Sequence, residues 1–259
     1  MKRTIALAAL GLALQGYGAR AADIDWKKVD AALGKTAAVS GEVHRYGLPR
    51  SDLHVTLDGI QIKPALALGG WIAFAAMHDQ AMVMGDLVLL ETEITPVMTK
   101  LLDSGLDITA IHNHVLRASP ATFYMHVAGH GDPEKMAAAI RAALSSESKT
   151  PFDTPATTAA AAPAVDLDTA KLDEIMRAKG NATGGGKAAI TGDFLVTGNE
   201  VNPLIRALRA GDIEVTAIHS HMLDEEPRMF FIHFWANDDA LKLAKGVRAA
   251  LDKTAVAQR

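Results

Sequence analysis

Residues 85–144 and 192–251 are one segment written twice. At a constant offset of 107, Gly85-Asp86 falls on Gly192-Asp193, Glu93 on Glu200 and Pro96 on Pro203. Thr109-Ala110-Ile111-His112 falls on Thr216-Ala217-Ile218-His219. Pro120, Phe123 and His126 fall on Pro227, Phe230 and His233, and Arg141-Ala142-Ala143-Leu144 falls on Arg248-Ala249-Ala250-Leu251. About a third of roughly 60 positions agree without a gap, which marks an internal duplication. Whatever this chain folds into must therefore contain a strand–helix–strand–strand–helix unit that packs twice.

The pattern supports that reading. Met82 to Leu90 reads as a strand, and Thr92 to Ser104 as a helix with Thr92 as N-cap and Pro96 in its first turn. Asp107 to His130 reads as two strands joined by a proline-bearing loop. Asp132-Pro133 opens a helix running to about Leu144. Upstream, Trp26, Val29 and Leu33 sit at helical spacing, closed by Gly34. Strand-like segments follow at Gly41–Tyr46, Asp52–Leu57 and Trp71–Ala76, separated by turn residues at Gly47-Leu48-Pro49, Asp58-Gly59 and Gly69-Gly70.

The copies are unequal. Val29-Asp30 and Leu172-Asp173 open comparable helices at an offset of 143, so about 36 residues are missing from the second copy near Lys179. The lost piece corresponds to Thr36–Ala73 and its three strands. The expected fold is α+β, with two related βαββα (ferredoxin-like) units and the second truncated at its N-terminal strands. The expected domains are a signal peptide at 1–21, a first unit at 22–144, an Ala/Pro/Thr-rich linker at 145–168 and a shortened second unit at 169–259.

Lys2-Arg3, the apolar run Thr4–Leu14 and Ala19-Arg20-Ala21 form a basic, an apolar and a cleavage region. They predict a periplasmic or secreted protein cut near Ala21. The apolar run is too short to span a bilayer, and no later stretch is long and apolar enough. A formal net charge of −4 with no basic run after residue 3 argues against a nucleic-acid partner. The absence of cysteine removes disulfides, thiolate ligands and thiol nucleophiles. Any metal site must then use His, Asp and Glu.

The runs RSDLHVTLDG, IKPALALGGW, AMVMGDLVLLE, AIHNHVLR, GHGDP, TGGGKAAITGDF and AIHSHMLDEEPRMFFIHFWANDDALKLA resemble the LppY/LpqO family of exported bacterial proteins. The resemblance covers nearly all of the chain beyond residue 21. It implies an exported or lipid-anchored protein of duplicated α+β domains, and no established activity. The chain departs from the family in lacking a lipobox cysteine and in lacking strands of the second repeat.

The chemistry concentrates in the duplicated hairpin. His112 and His114 are two apart, so on a strand they share a face, and a turn near Pro120 places His126 roughly opposite His114. His219, His221 and His233 repeat the arrangement. Three neutral imidazoles on one face suit zinc or another divalent transition metal and leave a fourth position open. If the units pair about a pseudo-twofold axis, all six histidines line one cleft. His130, on the face of His126, is a further candidate ligand. Glu93 and Glu200 are the candidate catalytic carboxylates, as ligand, imidazole partner or general base.

Three functions stay open on these residues. One is a carrier, store or sensor of a metal ion. Another is a metal-dependent hydrolase or lyase with Glu93 as base, acting on a small molecule. The third is a non-catalytic envelope module in which the histidines only pack. A homo-oligomer through the shortened second unit is also expected, since its missing strands leave a sheet edge. His112-Asn113-His114 is too compact for the nuclease motif of that spelling. Thr183-Gly-Gly-Gly-Lys187 lacks the spacing and the following Ser/Thr of a phosphate loop. Arg50-Ser51-Asp52, with His54 and Asp58, fits turn chemistry as well as a substrate contact. His44 and His78 have no counterpart in the other copy.

Overall fold

The structure is a computed structural model, and it describes residues 24–77, 80–152, 167–180 and 189–255. The leader at 1–21, His78, residues 153–166 of the expected linker and Thr183–Lys187 lie outside the described residues. In chain order the first part comprises α1 (Trp26–Leu33), β1 (Ala38–Ser40), β2 (Val43–Pro49), β3 (Val55–Leu57), β4 (Ile60–Ile62), α2 (Pro64–Ala67), β5 (Gly69–Met77) and β6 (Gln80–Leu90). It continues through α3 (Glu91–Asp103), β7 (Asp107–His112), β8 (Thr122–Gly131) and α4 (Pro133–Glu147). The second part comprises α5 (Thr169–Met176), β9 (Ala189–Thr197), α6 (Gly198–Ala210), β10 (Glu214–His219), β11 (Met229–Asn237) and α7 (Ala240–Leu251).

The fold is α+β with two main sheets. The first has the order β1-β2-β5-β6-β8-β7 and the second the order β10-β11-β9, antiparallel throughout. Thus β6-α3-β7-β8-α4 and β9-α6-β10-β11-α7 are the duplicated unit, and among the described residues the second copy has no strands in the places of β1, β2 and β5. One expected strand left the main sheet. Of Asp52–Leu57 only Val55–Leu57 is extended, and it pairs with β4 in a separate two-stranded ribbon. Asp58-Gly59 is the tight turn between them, with both residues at positive φ.

Strand alternation assigns the two faces of each sheet. On β6 and β8, Val83, Leu87, Leu89, Met125 and Val127 face α1, α3 and α4, meeting Leu33, Leu101 and Ile140 in the largest core. On β9 and β11, Val196, Ile232 and Phe234 meet Leu204, Leu208 and Leu243 of α6 and α7 in the same way. Asp86, Tyr124, His126, Asp193, His233 and Trp235 therefore point away from the helices. Those two helix-free faces meet each other. A third core joins Val55, Leu57 and Ile62 of the ribbon to Val88 and Tyr124 of the first unit and Trp235 of the second.

Polar ties hold the units together as well. Arg117, in the β7–β8 loop, makes two bonds to Asp58 and two to Glu214 of β10. Thr216 donates its hydroxyl to the His114 carbonyl. Two other expectations need adjusting. The N-cap position of α3 is Leu90, not Thr92, because Glu93 at the third helical position folds back to accept from the Leu90 N–H. The chain just after α4 is not free linker. The helix runs to Glu147, and Phe152 is buried on the first core beneath the Arg141 guanidinium, 3.9 Å from its ring centre.

Candidate metal centre

Each H-x-H begins at the last residue of a strand, His112 of β7 or His219 of β10, and continues into the loop, while His126 and His233 sit mid-strand on β8 and β11. The register differs from the simple hairpin. Ala110, not His114, lies opposite His126, because the β7–β8 loop centres near residue 118 and not at Pro120, and a bulge between Ile108 and Ala110 shifts the pairing by one residue. The second copy repeats it, with a bulge between Val215 and Ala217 and Ala217 opposite His233. The one-residue shift puts Ala110, and with it His112 two residues on, on the face of His126, and likewise Ala217 and His219 on the face of His233.

All six imidazoles come together between the two units. The His112 and His126 Nε2 atoms are 2.7 Å apart, and those of His219 and His221 2.9 Å. Across the units, His112 stacks on His219 with ring centres 3.4 Å apart, His126 on His221 at 3.6 Å and His114 on His233 at 3.8 Å. His112, His126, His219 and His221 form one group whose ligand atoms all lie within 4.8 Å. His112, His114 and His233 form another, and Asp86, His114 and His126 a third. These groups can hold a metal ion.

The electrostatics favour neutral imidazole, the form that ligates. Burial lowers His112 to about 4. Burial, then the neighbouring imidazoles, lowers His126, His219 and His233 to about 3 and His221 to about 2. His114 is pushed down furthest, by burial first and then by the neighbouring imidazoles. Asp86 moves the other way, up to about 8, because it is buried and because the negative charge of Asp193 acts on it. Among the described residues, Asp86 Oδ1, His114 Nε2, His219 Nδ1 and His233 Nε2 are buried with no hydrogen-bond partner. Buried polar atoms are rarely left so, and four in one cluster fit the donor set of a cation.

The other sequence candidates are placed elsewhere. Glu93 accepts from Arg50 Nη1 at 2.7 Å and Nη2 at 3.1 Å, and from the Leu90 N–H at 2.9 Å. Arg50 is fully buried, and also donates to Asp52 and to the Val88 carbonyl. Ser51 and Asp52 are an exposed turn, as the sequence suggests, while Arg50 folds inward from its start and ties the end of β2 to the start of α3. Glu200 caps α6, accepting from the Thr197 N–H and hydroxyl and from the Ala255 N–H. His130 is exposed and opposite Met82. Four residues of strand carry it about 13 Å past His126, too far to share its ion. None of the three belongs to a group that can hold a metal. His44 stacks on Trp26 at 3.8 Å.

Asp86 is the site residue that motif reading passes over. It pairs in register with His126 from the neighbouring strand, and Asp193 pairs likewise with His233. The duplication itself carried the signal, since Gly-Asp is among the few polar identities retained in both copies.

No curated protein matches the chain. Among solved structures it is similar to a trimeric bacterial microcompartment shell protein, PduB, at 13% identity and a TM-score of 0.25, over 86% of this chain and 92% of that one. A likeness that loose carries no argument about function. A family model described as Domain of Unknown Function (DUF1259) matches residues 27–146 and 168–253, both duplicated units, and the chain belongs to that family.

Proposed function

We propose that this is an exported protein that binds a divalent transition metal between its two repeats. One observation carries the reading: six imidazoles from both copies converge in their neutral form, and three of them, with Asp86, hold buried atoms that have no partner among the described residues. A packing role alone would leave those atoms unsatisfied, at a cost of about 1–3 kcal/mol each. Imidazole donors suit zinc, copper, iron or nickel. The carboxylate that a hydrolase or lyase would use, Glu93, is occupied by Arg50 and by its helix cap, so binding is preferred over catalysis.

Export rests on the basic and apolar leader, and the finer LppY/LpqO assignment on the sequence runs that resemble that family. Among the described residues no helix is long and apolar enough to cross a membrane. Among the described residues strand β9 is paired on one side only, which supports association of copies along that edge.

The binding test is calorimetric melting of the full mature chain at pH 7.5 with and without zinc. Zinc at about a hundredfold over its dissociation constant stabilises by roughly 2.7 kcal/mol. Replacing His219 by alanine should remove most of that, and replacing exposed His130 should not. Equal responses in wild type and the His219 variant would show the histidines to be packing residues. For export, the intact mass of the secreted chain should lack about the first 21 residues, and a retained leader would contradict it.

A further inference from the structure

We infer that the cluster is built for two ions, each held by the H-x-H of one repeat and the strand histidine of the other, with Asp86 bridging them. This rests on the metal-binding reading above and goes beyond it in number and arrangement.

The argument begins with symmetry. The offset of 107 carries His112, His114 and His233 onto His219, His221 and, in the reverse direction, His126. Both triplets exist in the structure. The first is a group of its own, and the second lies within the group of His112, His126, His219 and His221. Their pairings are equivalent: His114 stacks on His233 at 3.8 Å, and His126 on His221 at 3.6 Å. His112 and His219, stacked at 3.4 Å, are the symmetric pair at the middle, one for each triplet. Among the described residues the six histidines do not fall into a single group. Three imidazoles per ion, with one position left open, is a familiar coordination for zinc or copper, whereas six around one ion is not what this geometry offers.

Asp86 supplies the second observation. Its Oδ2 lies 4.0 Å from Nε2 of His114, in the first triplet, and its Oδ1 lies 3.8 Å from Nε2 of His126, in the second. Both separations are too long for a hydrogen bond. Both leave room for an ion about 2 Å from each atom. One carboxylate oxygen is thus turned toward each triplet. Among the described residues no lysine or arginine pairs with Asp86, and a buried carboxylate without a cation is costly. Asp193 holds the equivalent register position, opposite His233, but is exposed. The bridge is therefore single, and the flank at Asp193 is the open side of the pair.

The test uses the full mature chain, stripped by chelator and titrated with copper(II), with ions counted by native mass spectrometry and spin coupling read by electron paramagnetic resonance. The expected result is two coppers per chain, coupled, with most of the isolated-ion signal lost at saturation. His221→Gln and His233→Gln should each retain one copper with an isolated-ion spectrum, and Asp86→Asn should weaken the second ion at least tenfold. Saturation of the wild type at one isolated copper would overturn the two-ion inference while leaving metal binding intact, and so would two coppers on His221→Gln. Two uncoupled coppers would overturn the bridge. No bound copper at all would remove the metal-binding reading with it. The wild-type count decides the question even if a variant fails to fold.

Discussion

The first repeat places its histidines on a six-stranded sheet and the second on a three-stranded one, yet the two sets meet as near equals. The parts that differ are those outside the shared unit. With β5 alongside β6, Asp86 is 8% exposed, whereas among the described residues β9 has no such neighbour and Asp193 is exposed. Glu93 is sealed under Arg50, which comes from the extra segment, while Glu200 caps its helix and accepts from the Ala255 N–H with, among the described residues, no arginine over it. The shared βαββα unit thus builds the site. The extra strands decide how deeply each half is buried and which side faces solvent.

The largest effect that would sharpen this comparison is with pH. In the metal-free folded chain the six imidazoles titrate far below their ordinary value near 6.5, so below that pH the unfolded chain takes up protons that the folded one refuses. Asp86, raised to about 8, works in the opposite sense as a carboxylic acid that the folded chain keeps protonated. Six imidazoles less one carboxylic acid leave a net uptake of five protons, an upper limit of about 7 kcal/mol lost per pH unit as pH falls from 6.5 toward 4. Even half that slope would consume the usual 5–15 kcal/mol of a domain within a few pH units. Chemical denaturation of the metal-free chain should show a steep loss of stability below pH 6.5. A flat profile down to pH 5 would mean that the cluster is solvated.

Next comes the ion pair that only the first repeat has. Arg50→Met leaves the buried Glu93 without its partner and should cost about 3–5 kcal/mol in urea unfolding. Glu200→Ala, at the equivalent position, should cost only about 0.3–1.5 kcal/mol, since a helix cap and an exposed bond to the Ala255 N–H are lost and no charge is left buried. Equal costs would erase the distinction drawn between the repeats here. Between these lies the glycine pair. A Cβ at Gly85 would meet Ile72 Cδ1 and the Trp71 carbonyl, the latter at 2.8 Å, both on the neighbouring β5. At Gly192 the nearest group it would meet is the Phe234 ring, at 3.0 Å. Gly85→Ala should therefore cost about 1–3 kcal/mol, and Gly192→Ala less, since a ring tip can move and a strand backbone cannot.

Much of this was legible in the sequence, and the reason is periodicity. Alternation along β6 and β8 and the Asp132-Pro133 opening of α4 are local, so the duplicated unit and its truncation could be read directly. A shared cleft lined by six histidines follows from pairing two such units. What escaped was long-range. The one-residue bulge at Ile108–Ala110 has no local signature, and neither does the pairing of each strand histidine with the other repeat's H-x-H. Asp86 looked like one more strand residue because its partners come from β8 and the β7–β8 loop. Glu93 was misread for the same reason: its partner, Arg50, is 43 residues away.

The central claim is that ligands are exchanged between the repeats, and a double-mutant cycle on His114 and His233 in the full chain tests it most directly. Zinc-dependent stabilisation would be measured for the wild type, for each alanine variant and for the double variant. If the two histidines share one ion, either substitution alone should remove most of that ion's stabilisation, and the second should remove little more, a coupling well beyond the roughly 0.3–0.5 kcal/mol scatter of independent sites. Additive losses would contradict it, placing His114 and His233 on separate ions, each closed within its own repeat.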